Sequence, residues 1–159
     1  VAPALKSWIQ NNALFELAAD CGMKMRLFHV SDAGYDSLQL FERSLKVFGS
    51  QMDIVLVKNF GMTEDWSPLE KDADLQQLIA DYGVLVTQLP RFVGNADRNF
   101  IDRHSLSFGE ALNHPDLGPI PRQRVRKFLK DTYAEFDRVG LFKEMVTAKT
   151  SKRGGKRHG

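Results

Sequence analysis

Ile54-Val55-Leu56-Val57-Lys58-Asn59 is the stretch on which the reading of the fold turns. Four apolar residues, three of them β-branched, run without a polar interruption. A half-buried strand would alternate; a continuous run belongs to a strand covered on both faces, as in a parallel sheet. It stops abruptly at Lys58-Asn59-Phe60-Gly61. Upstream, Gly49 closes a helical stretch over 36–48 whose Leu38, Phe41, Leu45 and Phe48 share one face. Before that, Met25-Arg26-Leu27-Phe28-His29-Val30 reads as a strand, followed by a loop with Asp32 and Gly34. Residues 4–20 place Leu5, Trp8, Ile9, Leu14, Phe15 and Leu17 near the helical period, so one helix is expected there, with Gly22 as its C-cap.

Downstream, a polar loop with Trp66 and Pro68 leads to a helix near 72–82 and then Gly83. Val84-Leu85-Val86-Thr87 reads as a third strand ending at Leu89-Pro90. A short segment around 97–103 and a helix over 106–112 follow. Asn113–Pro121, rich in Pro and Gly, separates these from a last helix over 122–138, with Val125, Phe128, Leu129 and Phe136 apolar and Val139 just beyond it. From about residue 147 the composition is basic and polar, and disorder is expected.

Strands about 30 residues apart with helices between them make βαβ units. The expected fold is therefore α/β, a three-layer, mostly parallel sheet flanked by helices, with a basic C-terminal helix and a tail. Three short strands make half a sheet, so it is expected to be incomplete. The expected divisions are 1–112 for the α/β part, 113–146 for a helical extension and 147–159 for the tail.

The chain of 159 residues is 43% hydrophobic, enough for a real core. No run approaches the ~20 apolar residues of a membrane span, and no signal-peptide pattern opens the chain. The single cysteine, Cys21, excludes an internal disulfide and fits a reducing compartment, so a cytoplasmic protein is expected. His29, His104, His114 and His158 show no metal-ligand spacing, and no metal site is expected from them. Net charge is +2, yet without Lys149, Lys152, Arg153, Lys156 and Arg157 there remain 17 basic against 20 acidic residues. The basicity belongs to the tail.

In parallel sheets, ligands sit outside the carboxyl ends of the strands. Asn59 stands at one such end, and its amide can donate and accept at once, which suits the edge of a purine base. Pro90, after the next strand, offers a rigid apolar backbone to a flat ring. An Asn after a strand also serves commonly as a turn residue. Asp32 and Asp36 read as caps before a helix. Trp66 is either tucked over the sheet edge or part of a partner surface, and the first is expected. His29 is expected to be a buried, hydrogen-bonded residue rather than a base. No P-loop is present: the one comparable run, Arg153-Gly154-Gly155-Lys156, lies in the tail with no strand before it.

The run MDIVLVKNFG (52–61), then DYGVLVTQLPRFVGNADRNFIDRHSLSFGEAL (81–112), resembles the second half of the ParA/MinD/CobQ-type P-loop ATPases. It is most similar to their plasmid-borne StbB- and TraL-like stability and transfer members. The resemblance implies that Asn59 contacts the adenine of ATP, with Lys58, Pro90 and Arg91 beside it. It implies ATP and Mg2+ as cofactors, a nucleotide-dependent homodimer, and partners in plasmid partition or conjugal transfer. It also implies that Val1 follows the Walker B strand, so that the phosphate and Mg2+ sites would lie in strands preceding these residues. The chain would then be a fragment, inactive alone as an ATPase.

Two other functions fit the residues. Arg122, Arg124, Arg126, Lys127 and Lys130, together with Lys152, Arg153, Lys156 and Arg157 in the tail, would neutralise phosphates in a non-enzymatic, sequence-indifferent DNA-binding module. Alternatively, Asp32-Ala33-Gly34-Tyr35-Asp36 after a strand fits half of a Rossmann-like nucleotide-dependent transferase.

Overall fold

The computed structural model describes residues 3–141, and the tail cations Lys152, Arg153, Lys156 and Arg157 lie outside them. In chain order the elements are α1 (Pro3–Asn11), α2 (Leu14–Asp20), β1 (Arg26–Ser31), α3 (Tyr35–Phe48), β2 (Asp53–Asn59), α4 (Ser67–Glu70), α5 (Ala73–Asp81), β3 (Leu85–Leu89), α6 (Asn95–Arg103), α7 (Phe108–Ala111) and α8 (Pro119–Arg138). The strands form one parallel sheet in the order β1-β2-β3, flanked by helices. Arg26 stands beside Asp53 and Ser31 beside Lys58 in the β1–β2 register. Contacts divide the chain into two compact units, Val1–Thr87 and Gln88–Gly159, whereas the sequence reading draws its line after residue 112.

In the first unit, the central strand β2 is covered on both faces: Ile54, Val55, Leu56 and Val57 are all buried. The helical stripe read from sequence is the other half of the core. Phe41, Leu45 and Phe48 of α3 pack with Ile54 and Leu56, with Ile9 from α1 and with Leu75 from α5. A fully buried Leu or Phe contributes roughly 1.5–3 kcal/mol, so this seam dominates the unit. Gly49 ends α3 because nothing larger fits: a Cβ there would meet the Tyr82 ring at 2.5 Å and the Leu45 carbonyl at 2.6 Å.

One expectation fails at the start of the chain. Residues 4–20 are two helices, because Ala13 takes a left-handed conformation (φ 46°) and breaks the run. Asn12 makes the break possible by donating its side-chain amide to the Trp8 carbonyl at 2.7 Å. Trp8, whose helical spacing points to the core, is exposed, and so is Leu17, while Ile9 and Ala18 are buried.

The second unit packs α6, α7 and α8 around Ile101, Ala111, Leu117 and Val125. Phe92, Phe108 and Phe128 stack on one another with ring centroids 4.9–5.7 Å apart. The brief helix α7 is fixed by a capping box: Ser107 Oγ accepts from the Glu110 N–H, and the Glu110 carboxylate accepts from the Ser107 N–H. That donation holds the Glu110 carboxyl below its ordinary range.

His29 of β1 is half-buried, shares an Nε2–Ser37 carbonyl bond of 3.1 Å and lies against Phe41. A carbonyl only accepts, so Nε2 carries the proton. Burial lowers its pKa from 6.5, although the Ser37 bond opposes the shift. The folded chain therefore binds fewer protons here than the unfolded one, and the contribution of His29 to stability is full above the unfolded value and declines as pH falls below it. The thermal midpoint should fall between about pH 7 and pH 5 more steeply for the natural chain than for His29→Gln, which keeps the donor without titrating. Equal slopes in the two melting series would place the acid sensitivity elsewhere.

Candidate functional site

β2 carries Lys58 and Asn59 to its carboxyl end, and the turn behind them is built from Asn59 itself. Its Oδ1 accepts the Gly61 N–H at 3.0 Å, while its backbone carbonyl accepts from Met62 and Thr63. This is an Asx turn, the structural role open to any Asn after a strand. It leaves the Nδ2 donor without a protein acceptor among the described residues, and a second lone pair on Oδ1. A donor and an acceptor of the amide thus both remain at the strand end.

Lys58 is occupied differently. Its Nζ donates to Glu70 Oε1 at 2.9 Å and lies 5.0 Å from the centre of the Trp66 ring. The charge is therefore matched by a carboxylate and an aromatic face before any ligand arrives. Trp66 is only 3% exposed and tilts against Phe60, so the loop Trp is tucked into the core, as expected. Its indole N–H finds no acceptor among the described residues. Asp65 accepts the Ser67 N–H at 2.9 Å at the head of α4, and this bond holds its carboxyl below the ordinary range. Sequence reasoning missed the partnership of Glu70 with Lys58; the signal was an acid in the helix that follows the loop.

The β1 end is a second Asx turn. Asp32 Oδ1 accepts the Gly34 N–H at 2.9 Å, and buried Ser31 Oγ accepts the Ala33 N–H at 3.1 Å. Gly34, not an aspartate, occupies the N-cap of α3, with no side-chain cap bond. Asp32 therefore shapes the turn before the cap. Pro90 and Arg91 directly follow β3 and belong to the second unit, Pro90 half-buried and Arg91 exposed.

The five cations expected to bind DNA along α8, Arg122, Arg124, Arg126, Lys127 and Lys130, do not act as one patch. Arg124 Nη1 donates to Asp97 Oδ2 at 2.7 Å, and Asp97 is 8% exposed. Gly94, with φ 116°, makes room for this pair, since a Cβ there would sit 2.6 Å from Asp97 Oδ2. Arg122 is half-buried and donates to the His114 carbonyl. Lys127 pairs with Asp131 one turn on. Arg126 and Lys130, four residues apart on one face, remain exposed, with exposed Tyr133 beyond them.

Among the described residues, no group of three His, Cys, Asp or Glu side chains could hold a metal ion, and no helix is long and apolar enough to cross a membrane. No family model matches the chain, and neither curated proteins nor solved structures give a match.

The two arginine roles separate on stability. Arg124→Ala leaves a buried carboxylate unpaired and should cost about 2–3 kcal/mol in urea unfolding. Arg126→Ala removes a solvated side chain and should stay within about 0.5 kcal/mol. Equal costs would mean that Asp97 does not depend on Arg124.

Proposed function

We propose that the chain is the base-recognising part of an adenine-nucleotide-dependent ATPase of the ParA/MinD type, with roles in plasmid partition or transfer. The observation that carries this reading is the amide of Asn59, held at the carboxyl end of the central strand by its own turn while its Nδ2 donor stays available. A parallel α/β sheet puts ligand recognition at that position. Lys58 braces the loop through Glu70 and Trp66 rather than offering a bare charge. The reading leaves phosphate and Mg2+ to residues other than these, and the nucleotide-bridged homodimer belongs to the same proposal.

Asn59→Asp tests the assignment cleanly. It keeps the oxygen that accepts the Gly61 N–H, so the turn survives, and it replaces the donor by a charged oxygen. Adenosine, which has no phosphates to repel, therefore reports the lost donor, and ATP reports the added charge as well. Adenosine affinity should fall about tenfold, the loss of one buried hydrogen bond with its penalty, and ATP affinity by more, with an unchanged thermal midpoint. Trp66 fluorescence in a Trp8→Phe background reads both binding and folding. Unchanged affinity would remove Asn59 from the site.

A second reading is favoured by Arg126, Lys130 and Tyr133, which leave one face of α8 cationic with an aromatic at its end. With the tail cations, this face would bind DNA backbone without regard to sequence. Replacing Arg126 and Lys130 by Gln should reduce the slope of log affinity against log salt by about 2. Replacing Arg122 should leave that slope unaltered. A slope indifferent to the double substitution would leave any DNA binding to the tail, and deletion of 149–159 would then abolish it.

A further inference from the structure

We propose that His104 and His114 form a binding site for a divalent transition-metal ion that favours imidazole, such as Zn2+ or Cu2+. The two residues stand ten apart in the chain, outside the short spacings by which ligand pairs are read from sequence, and folding brings them together. Their ring centroids lie 5.5 Å apart, with the planes at 57°. Two imidazoles that share one tetrahedral ion, at Zn–N distances of ~2.0–2.1 Å, have centroids roughly 5 Å apart. The Phe100 ring lies 4.2 Å from His104 and meets His114 edge-on at 5.2 Å, so both imidazoles rest against one aromatic side chain.

Hydrogen bonds prepare the two rings for ligation. His104, at the C-cap of α6, donates from Nδ1 to the Phe100 carbonyl at 2.8 Å. That bond fixes the tautomer and leaves the Nε2 lone pair without a partner among the described residues. Donation of the other ring N–H to a backbone carbonyl is the arrangement that orients metal-bound histidines. His114 Nδ1 accepts the Asp116 N–H at a long 3.3 Å, and Asp116 is exposed. An ion can therefore take that lone pair while water takes over the amide. The His114 backbone is pinned on both sides: its N–H bonds the Ala111 carbonyl, and its carbonyl accepts from the Leu117 N–H and the Arg122 guanidinium. A bound ion thus ties the end of α6 to the loop that Arg122 joins to α8. Two protein ligands rather than three, with the Arg122 cation on the loop backbone, make a weak site that keeps coordination positions open to water. It stands apart from the reading of Asn59 and from Mg2+, which prefers oxygen ligands.

Titration calorimetry of the full chain with Zn2+ tests it, together with imidazole nuclear magnetic resonance under substoichiometric Cu2+. Cu2+ should broaden the ring signals of His104 and His114 together and spare those of His29. His104→Gln and His114→Gln should each weaken Zn2+ affinity by at least about tenfold, with an unchanged circular dichroism spectrum. His29→Gln should bind Zn2+ as the natural chain does. Zn2+ should also raise the thermal midpoint of the natural chain and leave that of the two ligand variants in place. Zn2+ affinity indifferent to either ligand substitution would overturn the proposal. So would Cu2+ broadening that reaches only one of the two rings, a readout that needs no variant to fold.

Discussion

Along Ile54–Val57, the backbone of β2 is closed off from water, so its N–H and C=O groups depend on the ladders that strands on either side supply. That requirement fixes what surrounds the strand. β1 must lie beside it in the register that matches Leu27 to Ile54 and His29 to Leu56. α3 must lay Phe41 and Leu45 over Ile54 and Leu56, because an uncovered apolar strand would surrender the burial that stabilises it. His29 is drawn into the same layer and kept neutral by it. The polar residues Lys58 and Asn59 come at the strand end, where burial stops and the chain can again meet water.

At that mouth, local bonds decide what remains for a ligand. Asn59 closes its own turn with one oxygen lone pair, which leaves the donor and costs the site no rigidity. Lys58 is neutralised by Glu70 across the Trp66 ring. With its cation matched and an amide donor open, this strand end presents hydrogen-bonding capacity without net charge.

The second unit answers a different constraint. The first turns of α8 hold cations where the helix dipole favours acids. The structure resolves the conflict by pairing: buried Asp97 from α6 takes Arg124, the His114 carbonyl takes Arg122, and Asp131 takes Lys127. These bonds tie α6, the 113–118 loop and α8 together and leave Arg126 and Lys130 to the solvent. What looks like one basic cluster is a set of internal braces beside a short exposed face.

The amino-acid sequence by itself determined the elements whose signal is local. The unbroken Ile54–Val57 run, the stripe of Leu38, Phe41, Leu45 and Phe48, and the glycines after α3 and α5 specify a parallel α/β arrangement through periodicity and backbone freedom alone. The tertiary structure decided what depends on residues far apart in the chain. Only Asn11-Asn12 hints at the helix break at Ala13, and the period of the apolar residues continues across it and masks the hint. Arg124 and Arg126 are alike in sequence and differ only because Asp97, 27 residues earlier, folds against one of them. Phe28 and Val30 carry the same strand signal as Val55 and Val57, and only their place on the outer strand leaves them uncovered. Hydrophobic period says that a face is apolar; only the packing of the whole chain says whether anything lies against it.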